Sequence, residues 1–405
     1  MAAVGATGAL INLIVNLFIG LSVGAGVAVA QALGANDHEK VFRVIHTAIP
    51  VALVAGAILT VVGIIGSEQF LMWMETPEDV LPLSAVYMRI YFYGMISSMV
   101  YNFGAAILRA AGDTKSPLSF LTIAGITNIV LNLFFVVVCK MDVAGVALAT
   151  SISQTISALL ILIALTKRTD GCRLHLKKLH FYKDAFGQMV RIGLPAGLQG
   201  SLFSISNVII QSSVNSFGSV VMSGSSAGAN IEGFVYISMN AFYQTALNFI
   251  GQNVGARKIE RVKRVLGLTL LLVGICGFCL GTLACIFANP LLSIYLPNST
   301  EAVQYGILRM TYVCGLYFIC GLMDVMTGTM RGMGASVTPL ITAVLGVCGF
   351  RIVWLYTIFQ MEEYHTLESL FISYPISWLG TLLVQIVAYL IIFRNWKRKI
   401  RGESA

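Results

Sequence analysis

The chain has 405 residues, 57% of them hydrophobic and only 11% charged, with a formal net charge of +8. A soluble chain of this length could neither hide so much apolar surface nor solvate itself with so few charges. The positive excess lies in short clusters between apolar runs, so it reads as membrane topology and not as a nucleic-acid-binding face. A membrane helix needs roughly 20 mostly apolar residues. Eleven runs meet that need: 5–33, 44–67, 84–108, 117–139, 143–166, 187–216, 220–251, 265–288, 302–328, 337–360 and 367–393. They are continuous rather than alternating, which favours helices over a barrel. Several are too long to cross straight, so tilts or kinks are predicted.

The loops alternate in charge. Lys40 and Arg43, Arg109 and Lys115, the 167–191 segment, the 257–264 loop, Arg331 and the 394–401 tail hold 22 of the 26 Lys and Arg. The loops between carry Glu75, Glu78, Asp79, Glu362, Glu363 and Glu368 instead. The basic side is therefore predicted to be cytoplasmic, with the C-terminus inside and Met1 on the opposite face. The polar stretch TKRTDGCRLHLKKLHFYKDAFG reads as a cytoplasmic connector with a short amphipathic helix on the membrane surface.

The chain repeats itself. LRAAGDTKSPL at 108–118 is echoed by MRGMGASVTPL at 330–340, with Arg109, Gly112 and Pro117 each 222 residues before Arg331, Gly334 and Pro339. Gln31 in VAQALGA precedes Gln252 in IGQNVGA by 221 residues, and Asn102 precedes Asp324 by 222. Two structural copies follow: 1–167 with five helices, a linker over 168–186, 187–394 with six helices, and a cytoplasmic tail over 395–405. The first copy has no counterpart of the run 187–216, so one helix is expected to be missing ahead of Met1. The fold class is thus an all-α polytopic membrane protein of two pseudo-symmetric six-helix bundles, the first short by one helix. Transporters are often built from such repeats, with binding near the midplane. In the conserved spacing of the loops, Gly34 and Gly255 suit helix C-caps. Arg109 and Arg331 suit last-turn carbonyls, and Pro117 and Pro339 suit the first turn of the next helix.

Eight cysteines and five histidines form no disulfide framework and no metal-ligand spacing; Cys276-x-x-Cys279 reads as small residues inside a helix. Ionisable groups inside spans are costly, so Glu232, Asp324 and Arg351 are candidates for function by position. A buried carboxylate can bind a cation or hold a proton. Asn128 and Asn132, four apart, share a helix face and could offer two carbonyl oxygens to one cation. A structural reading stands beside each. Asp324 could lock helices against Arg351, Glu232 could sit solvated near the membrane edge, and the Asn pair could bridge helices.

The chain resembles the multidrug and toxic compound extrusion (MATE) transporters of bacteria over essentially its full length. The motifs that carry the resemblance are AAVGAT at 2–7, VAQALGAND at 29–37, LRAAGDTKSPL, Asn128-x-x-x-Asn132, IGLPAGLQ at 192–199, GQNVGA at 251–256 and MRGMG at 330–334. The resemblance implies two facing six-helix bundles that export drugs and organic cations by antiport with Na+ or H+. It implies no enzyme activity and no cofactor beyond the coupling cation. It makes Asp324, Glu232, Asn128 and Asn132 the ion-coupling residues, with Arg351 as an ion-pair or tuning partner for the acids. Tyr236, Met239, Tyr243 and Asn102 are the substrate-cleft candidates. One branch of the family carries a Glu where Phe203 stands and a Tyr where Cys320 stands, so that branch's cation cage is not intact here. The partners are a small organic substrate and the lipid bilayer, with no nucleic acid; a monomer in the bacterial cytoplasmic membrane is expected. The alternatives are a lipid-linked oligosaccharide flippase of related fold and, in a different class, a polytopic membrane transferase. The first would need a large cationic cleft and the second a His, Asp or Arg cluster at one membrane face.

Overall fold

The computed structural model describes residues 2–73, 81–297 and 299–402. The acidic residues Glu75, Glu78 and Asp79, and the side chains of AAVGAT at 2–7, lie outside the described residues. Fifteen α-helices and no strand are found among those described. Every one of the eleven apolar runs is helical. In order they are α1 (Ala2–Gly34), α2 (His38–Trp73), α3 (Leu81–Tyr93) with α4 (Met95–Ala110), α5 (Lys115–Leu133), α6 (Asp142–Lys167), α7 (Lys183–Asn215), α8 (Ser219–Gly255) and α9 (Ile259–Ile286). A short α10 (Ala288–Tyr295) precedes α11 (Thr300–Arg309) with α12 (Tyr317–Gly332), then α13 (Val337–Ala343) with α14 (Phe350–Tyr356), and α15 (Leu367–Arg401).

Seven of these helical runs are long and apolar enough to cross a membrane. The pair 300–314 and 317–332, bent by 42°, makes an eighth. The remaining runs, α3–α4, α7 and α8, are less apolar because they turn polar groups inward: Ser84, Gln199, Ser206, Ser225, Glu232 and Asn248 are all buried. The predicted kinks have an identifiable form. π-helical turns interrupt three runs, at Phe134–Val138, Met310–Cys314 and Val344–Gly349.

The repeat extends into backbone detail. The break between α3 and α4 falls at Gly94, and the break before α12 falls at Gly315–Leu316, the same place one repeat later. The ends of α4 and α12 are matched caps. Gly112 and Gly334 both sit at φ +87°. Asp113 N–H donates to Leu108 O at 2.9 Å, and Ala335 N–H to Met330 O at 2.9 Å. These are paired left-handed C-caps, which glycine adopts without strain. Gly34 and Gly255 do not play that part. The left-handed residues after α1 and α8 are Asn36 and Arg257, each at φ +55°. The chain turns there two residues later than glycine placement suggests, because Asp37 and Lys258 N–H reach back to Ala32 and Asn253 carbonyls. Pro117 and Pro339 do lie in the first turns of α5 and α13. Alanine at Gly112 or Gly334 should each cost about 1–2 kcal/mol of stability. Alanine at Gly267, inside α9 with open space around it, should be neutral or stabilising. Thermal unfolding of the three variants in detergent checks this.

Two compact units divide inside α7, at residues 1–201 and 202–405, not at the polar linker. The physical reason is close helix contact in unit 1. A Cβ on Gly197 would lie 2.2 Å from Leu17 O, and one on Gly20 would lie 2.2 Å from Gly197 N. The backbones of α1 and the first part of α7 therefore touch, as small residues four apart allow. The core of unit 1 gathers Met88, Phe92, Met95, Met99, Phe103 and Leu108. Its α5 stays outside that core, with only Pro117 and Ala124 buried. In unit 2 the core is built on α8, α12 and α15.

The linker forms no amphipathic surface helix. It holds one 3-10 turn, Leu176–Lys178, and is strapped onto unit 1 by hydrogen bonds. Leu174 N–H donates to Leu165 O at 3.0 Å, and Tyr182 N–H to Thr47 Oγ1 at 3.1 Å. His175 N–H donates to Nε2 of the fully buried His46 at 3.0 Å, which leaves His46 Nδ1 to donate to Phe42 O at 2.8 Å. A partnered backbone explains the outcome: these groups bond to α2 and α6, and a surface helix would leave them without that support. Cys172 in this strap is 1% exposed, and burial pushes its thiol up to about 11. Little thiolate forms at pH 8, so alkylation by iodoacetamide should be at least about tenfold slower than for a free thiol, and should recover on unfolding. Peptide mapping by mass spectrometry reads this directly.

Candidate functional site

The sequence of α8 places Gly224, Gly228 and Glu232 four residues apart, on one helix face. On α11, Ala302, Gly306 and Arg309 form the opposing face. A Cβ at Gly224 would lie 2.1 Å from Ala302 O, and one at Gly228 would lie 3.4 Å from Arg309 Cδ. The two helices approach closely because these side chains are absent, and the approach delivers Arg309 to Glu232. Arg309 Nε donates to Glu232 Oε1 at 2.8 Å and Nη2 to Oε2 at 2.9 Å, while Nη1 donates to Ser225 Oγ at 3.0 Å. Both partners are 6% exposed. Such a bidentate fork is the strong form of a charged hydrogen bond. The guanidinium also lies 5.7 Å from the Phe371 ring centre and 5.9 Å from that of Tyr374.

This arrangement corrects two expectations. The counter-ion of Glu232 is Arg309, not Arg351, and Arg309 is a fourth deep ionisable residue. Its signal was present: it stands inside the run 302–328, in register with two small residues that face glycines. Arg351 pairs with neither acid among the described residues. Its Nε donates to Ser377 Oγ at 2.9 Å, and its guanidinium stacks 4.0 Å from the Tyr374 ring centre. Its Nη2 is buried with no hydrogen-bond partner among the described residues. Cation–π contact with Tyr374, and with Trp378 at 5.6 Å, takes the place of an ion pair there.

Asp324 lies in α12, three residues after Gly321 and four before Gly328. Those glycines pack on α8: a Cβ at Gly321 would lie 2.7 Å from Met239 Sδ, and one at Gly328 would lie 2.8 Å from Tyr243 O. Asp324 sits at the edge of that contact, half-buried, among Tyr236, Tyr317 and Cys320. It accepts no hydrogen bond and forms no ion pair among the described residues. The 42° bend between the two parts of the 300–332 run lies about two turns before it. So one deep acid of unit 2 is saturated and the other is free.

The cleft candidates divide in the same way. Met239 is fully buried against Gly277 and Gly321, and Tyr243 is 8% exposed with its hydroxyl accepting from Arg331 Nη1 at 2.8 Å. Both are buried where α8 meets α12 through glycines at their level. Tyr236 remains 41% exposed, with its ring 6.4 Å from that of Tyr317, which in turn meets Trp378 at 5.2 Å. Asn102 in unit 1 donates to Ser98 O at 2.8 Å within its own helix.

Asn128 and Asn132 do share a face. Asn132 Nδ2 donates to Asn128 Oδ1 at 3.0 Å, and Asn128 Nδ2 reaches Ser153 Oγ at 3.2 Å and Thr150 Oγ1 at 3.3 Å. One oxygen of the pair is therefore committed to a hydrogen bond. Asn132 Oδ1 is buried with no hydrogen-bond partner among the described residues. An apolar cavity of about 580 Å3 opens along α8, α9 and α10, lined by Ile231, Phe234, Val235, Leu283 and Leu291. Neither Glu232 nor Asp324 lines it.

The sequence matches the MatE family over residues 1–134 and 195–357. It is similar to the probable multidrug resistance protein YoeA of Bacillus subtilis, 28% identical over 409 residues, covering 98% of this chain and 87% of that protein. It is also similar to the FAD transporter of Shewanella oneidensis, 23% identical over 364 residues, covering 88% and 77%. The fold is that of the Vibrio cholerae MATE transporter VcmN in its bent form, with a TM-score of 0.85 at 19% identity over 98% of this chain and 89% of that one. With a matched family, an all-helical fold of membrane-crossing length and a repeat that runs through both units, the chain belongs to the MatE family of multi-pass membrane transporters and is not an enzyme.

Proposed function

We propose that this transporter exports drugs and organic cations in exchange for Na+ or H+, by alternating access, and that Asp324 is the acid through which the cation couples. The observation that carries the reading is the contrast between the two acids of unit 2. Glu232 is neutralised by a direct ion pair with Arg309, whereas Asp324 has no hydrogen bond and no direct ion pair among the described residues, and the charge of Arg331 reaches it only at longer range. A lone carboxylate away from water is costly in its charged form. A bound Na+ or a proton removes that cost, so occupancy favours a conformation that closes the site, and an empty site favours one that hydrates it. The two states then differ in cation affinity, which is the requirement for coupling. Tyr236, Tyr317 and Trp378 beside Asp324 offer flat π-faces suited to an organic cation. Asn128 and Asn132 in unit 1 are a second, weaker cation position, with Asn132 Oδ1 as the free ligand oxygen.

Two relatives are named for different cargo, one for multidrug resistance and one for FAD. The aromatic neighbours and the free acid support a cationic cargo over an anionic one. A lipid-linked oligosaccharide flippase is less well supported, because the deep cations Arg309 and Arg331 are bonded within unit 2 and do not form a large basic cleft. A monomer in the bacterial cytoplasmic membrane, with the basic loops and C-terminus inside, completes the reading. Everted membrane vesicles loaded with imposed Na+ or H+ gradients test it. A fluorescent cationic dye should accumulate when one of the gradients is imposed and not when neither is. Equal accumulation in the absence of both gradients would sink the antiport reading.

A further inference from the structure

The start of α9 and the end of α15 converge on a cavity of about 450 Å3 lined by Arg257, Lys258, Ile259, Glu260, Arg261, Lys397 and Arg401. Its only acid, Glu260, is bonded to Lys263 Nζ at 2.9 Å. None of the five cations is paired with a carboxylate among the described residues. Five like charges around one concavity repel one another unless an anion joins them. The repeat shows what is missing. Shifted back by 221 residues, Lys258 and Glu260 fall on Asp37 and Glu39 of unit 1. There Asp37 Oδ1 accepts from Lys40 N–H at 2.9 Å, and Glu39 pairs with Arg43. Unit 1 supplies its own carboxylates at this place. Unit 2 has replaced the capping acid by a lysine and added two cations from α15.

We propose that this cavity binds the phosphate headgroup of an anionic phospholipid on the basic side of the membrane. The choice of lipid rests on the flanks. Leu268 and Leu271 on α9, and Leu390 and Ile391 on α15, are each at least half exposed one to three turns further into the apolar zone. A headgroup held by the cations can therefore lay its acyl chains along apolar helix surface. Basic clusters next to membrane helices bind acidic lipids in this manner, with each Lys or Arg adding roughly fivefold in affinity. Free inorganic phosphate would satisfy the charges but gain nothing from those flanks.

The test uses the full chain in detergent, titrated with cardiolipin, phosphatidylglycerol, phosphatidylcholine or inorganic phosphate and followed by native mass spectrometry and thermal shift. Cardiolipin and phosphatidylglycerol adducts should persist where phosphatidylcholine adducts do not, and millimolar phosphate should not displace them. Arg257→Gln with Lys397→Gln and Arg401→Gln should weaken retention on the order of 100-fold. Lys258→Asp, which copies the cap of unit 1, should keep the fold and weaken retention as well. Unchanged retention in both variants, equal retention of phosphatidylcholine, or displacement by phosphate would overturn the proposal.

Discussion

Asp324→Asn should reduce gradient-driven dye efflux by about 5- to 150-fold, the range spanned by a coupling free energy of about 1–3 kcal/mol. The same substitution should leave thermal stability unchanged or raise it. The two expectations together identify the role. Asp324 donates nothing to the packing of α12 that asparagine would not also give, and it has no hydrogen bond or ion pair among the described residues to lose. Removing a charge that has no direct partner from a partly buried position relieves desolvation, which offsets the loss of its longer-range attraction to Arg331. A carboxylate kept without a partner therefore serves something other than stability. Dye that enters by downhill exchange, with no gradient imposed, should still equilibrate in the variant, because the aromatic wall at Tyr236, Tyr317 and Trp378 is untouched. Intact gradient-driven efflux in Asp324→Asn would remove this residue from the coupling step. A drop in efflux together with a large loss of stability would instead make it a helix lock.

Much of the fold was legible because its signals are long or repeated. The apolar runs each became helix, and the echo of LRAAGDTKSPL in MRGMGASVTPL became a pair of matched caps at Gly112 and Gly334. What stayed hidden depends on short-range geometry between helices. Arg309 stands inside the apolar run 302–328, seven residues from its start, and nothing in the sequence names its partner. Only the glycine-lined approach of α8 and α11 shows it to be buried against Glu232. Met239 and Tyr243 share a chemistry with drug-binding residues, and sequence cannot say which side of α8 meets α12. The break of the units inside α7 also lay beyond reach, because it follows from contacts of Gly193 and Gly197 with α1 and not from composition. The candidate acids were readable as residues; which of them is free was readable only from their partners.

Glu232→Gln should destabilise the protein by about 3–5 kcal/mol, the cost of leaving a buried guanidinium without its counter-charge. Arg309→Met should cost a similar amount for the complementary reason. The double variant Glu232→Gln with Arg309→Met should recover most of the loss, since neither buried charge then remains and the methionine fills space beside Phe371 and Tyr374. Chemical unfolding in detergent of the wild type, both single variants and the double variant closes a thermodynamic cycle with a large favourable coupling between the positions. That result separates two roles for an intramembrane acid. If the pair is a lock between α8 and α11, the double variant should also restore gradient-driven efflux, because a neutral pair holds the helices as well as an ionic one. Recovered stability without recovered efflux would show instead that Glu232 releases Arg309 during transport and takes up the cation itself. The bidentate fork, the third bond to Ser225 and the 6% exposure of both residues all favour the lock. On the proposed reading Glu232 and Asp324, two acids of one unit, have opposite tasks: one fixes α8 against α11, and the other, already the stronger candidate by sequence, takes the ion.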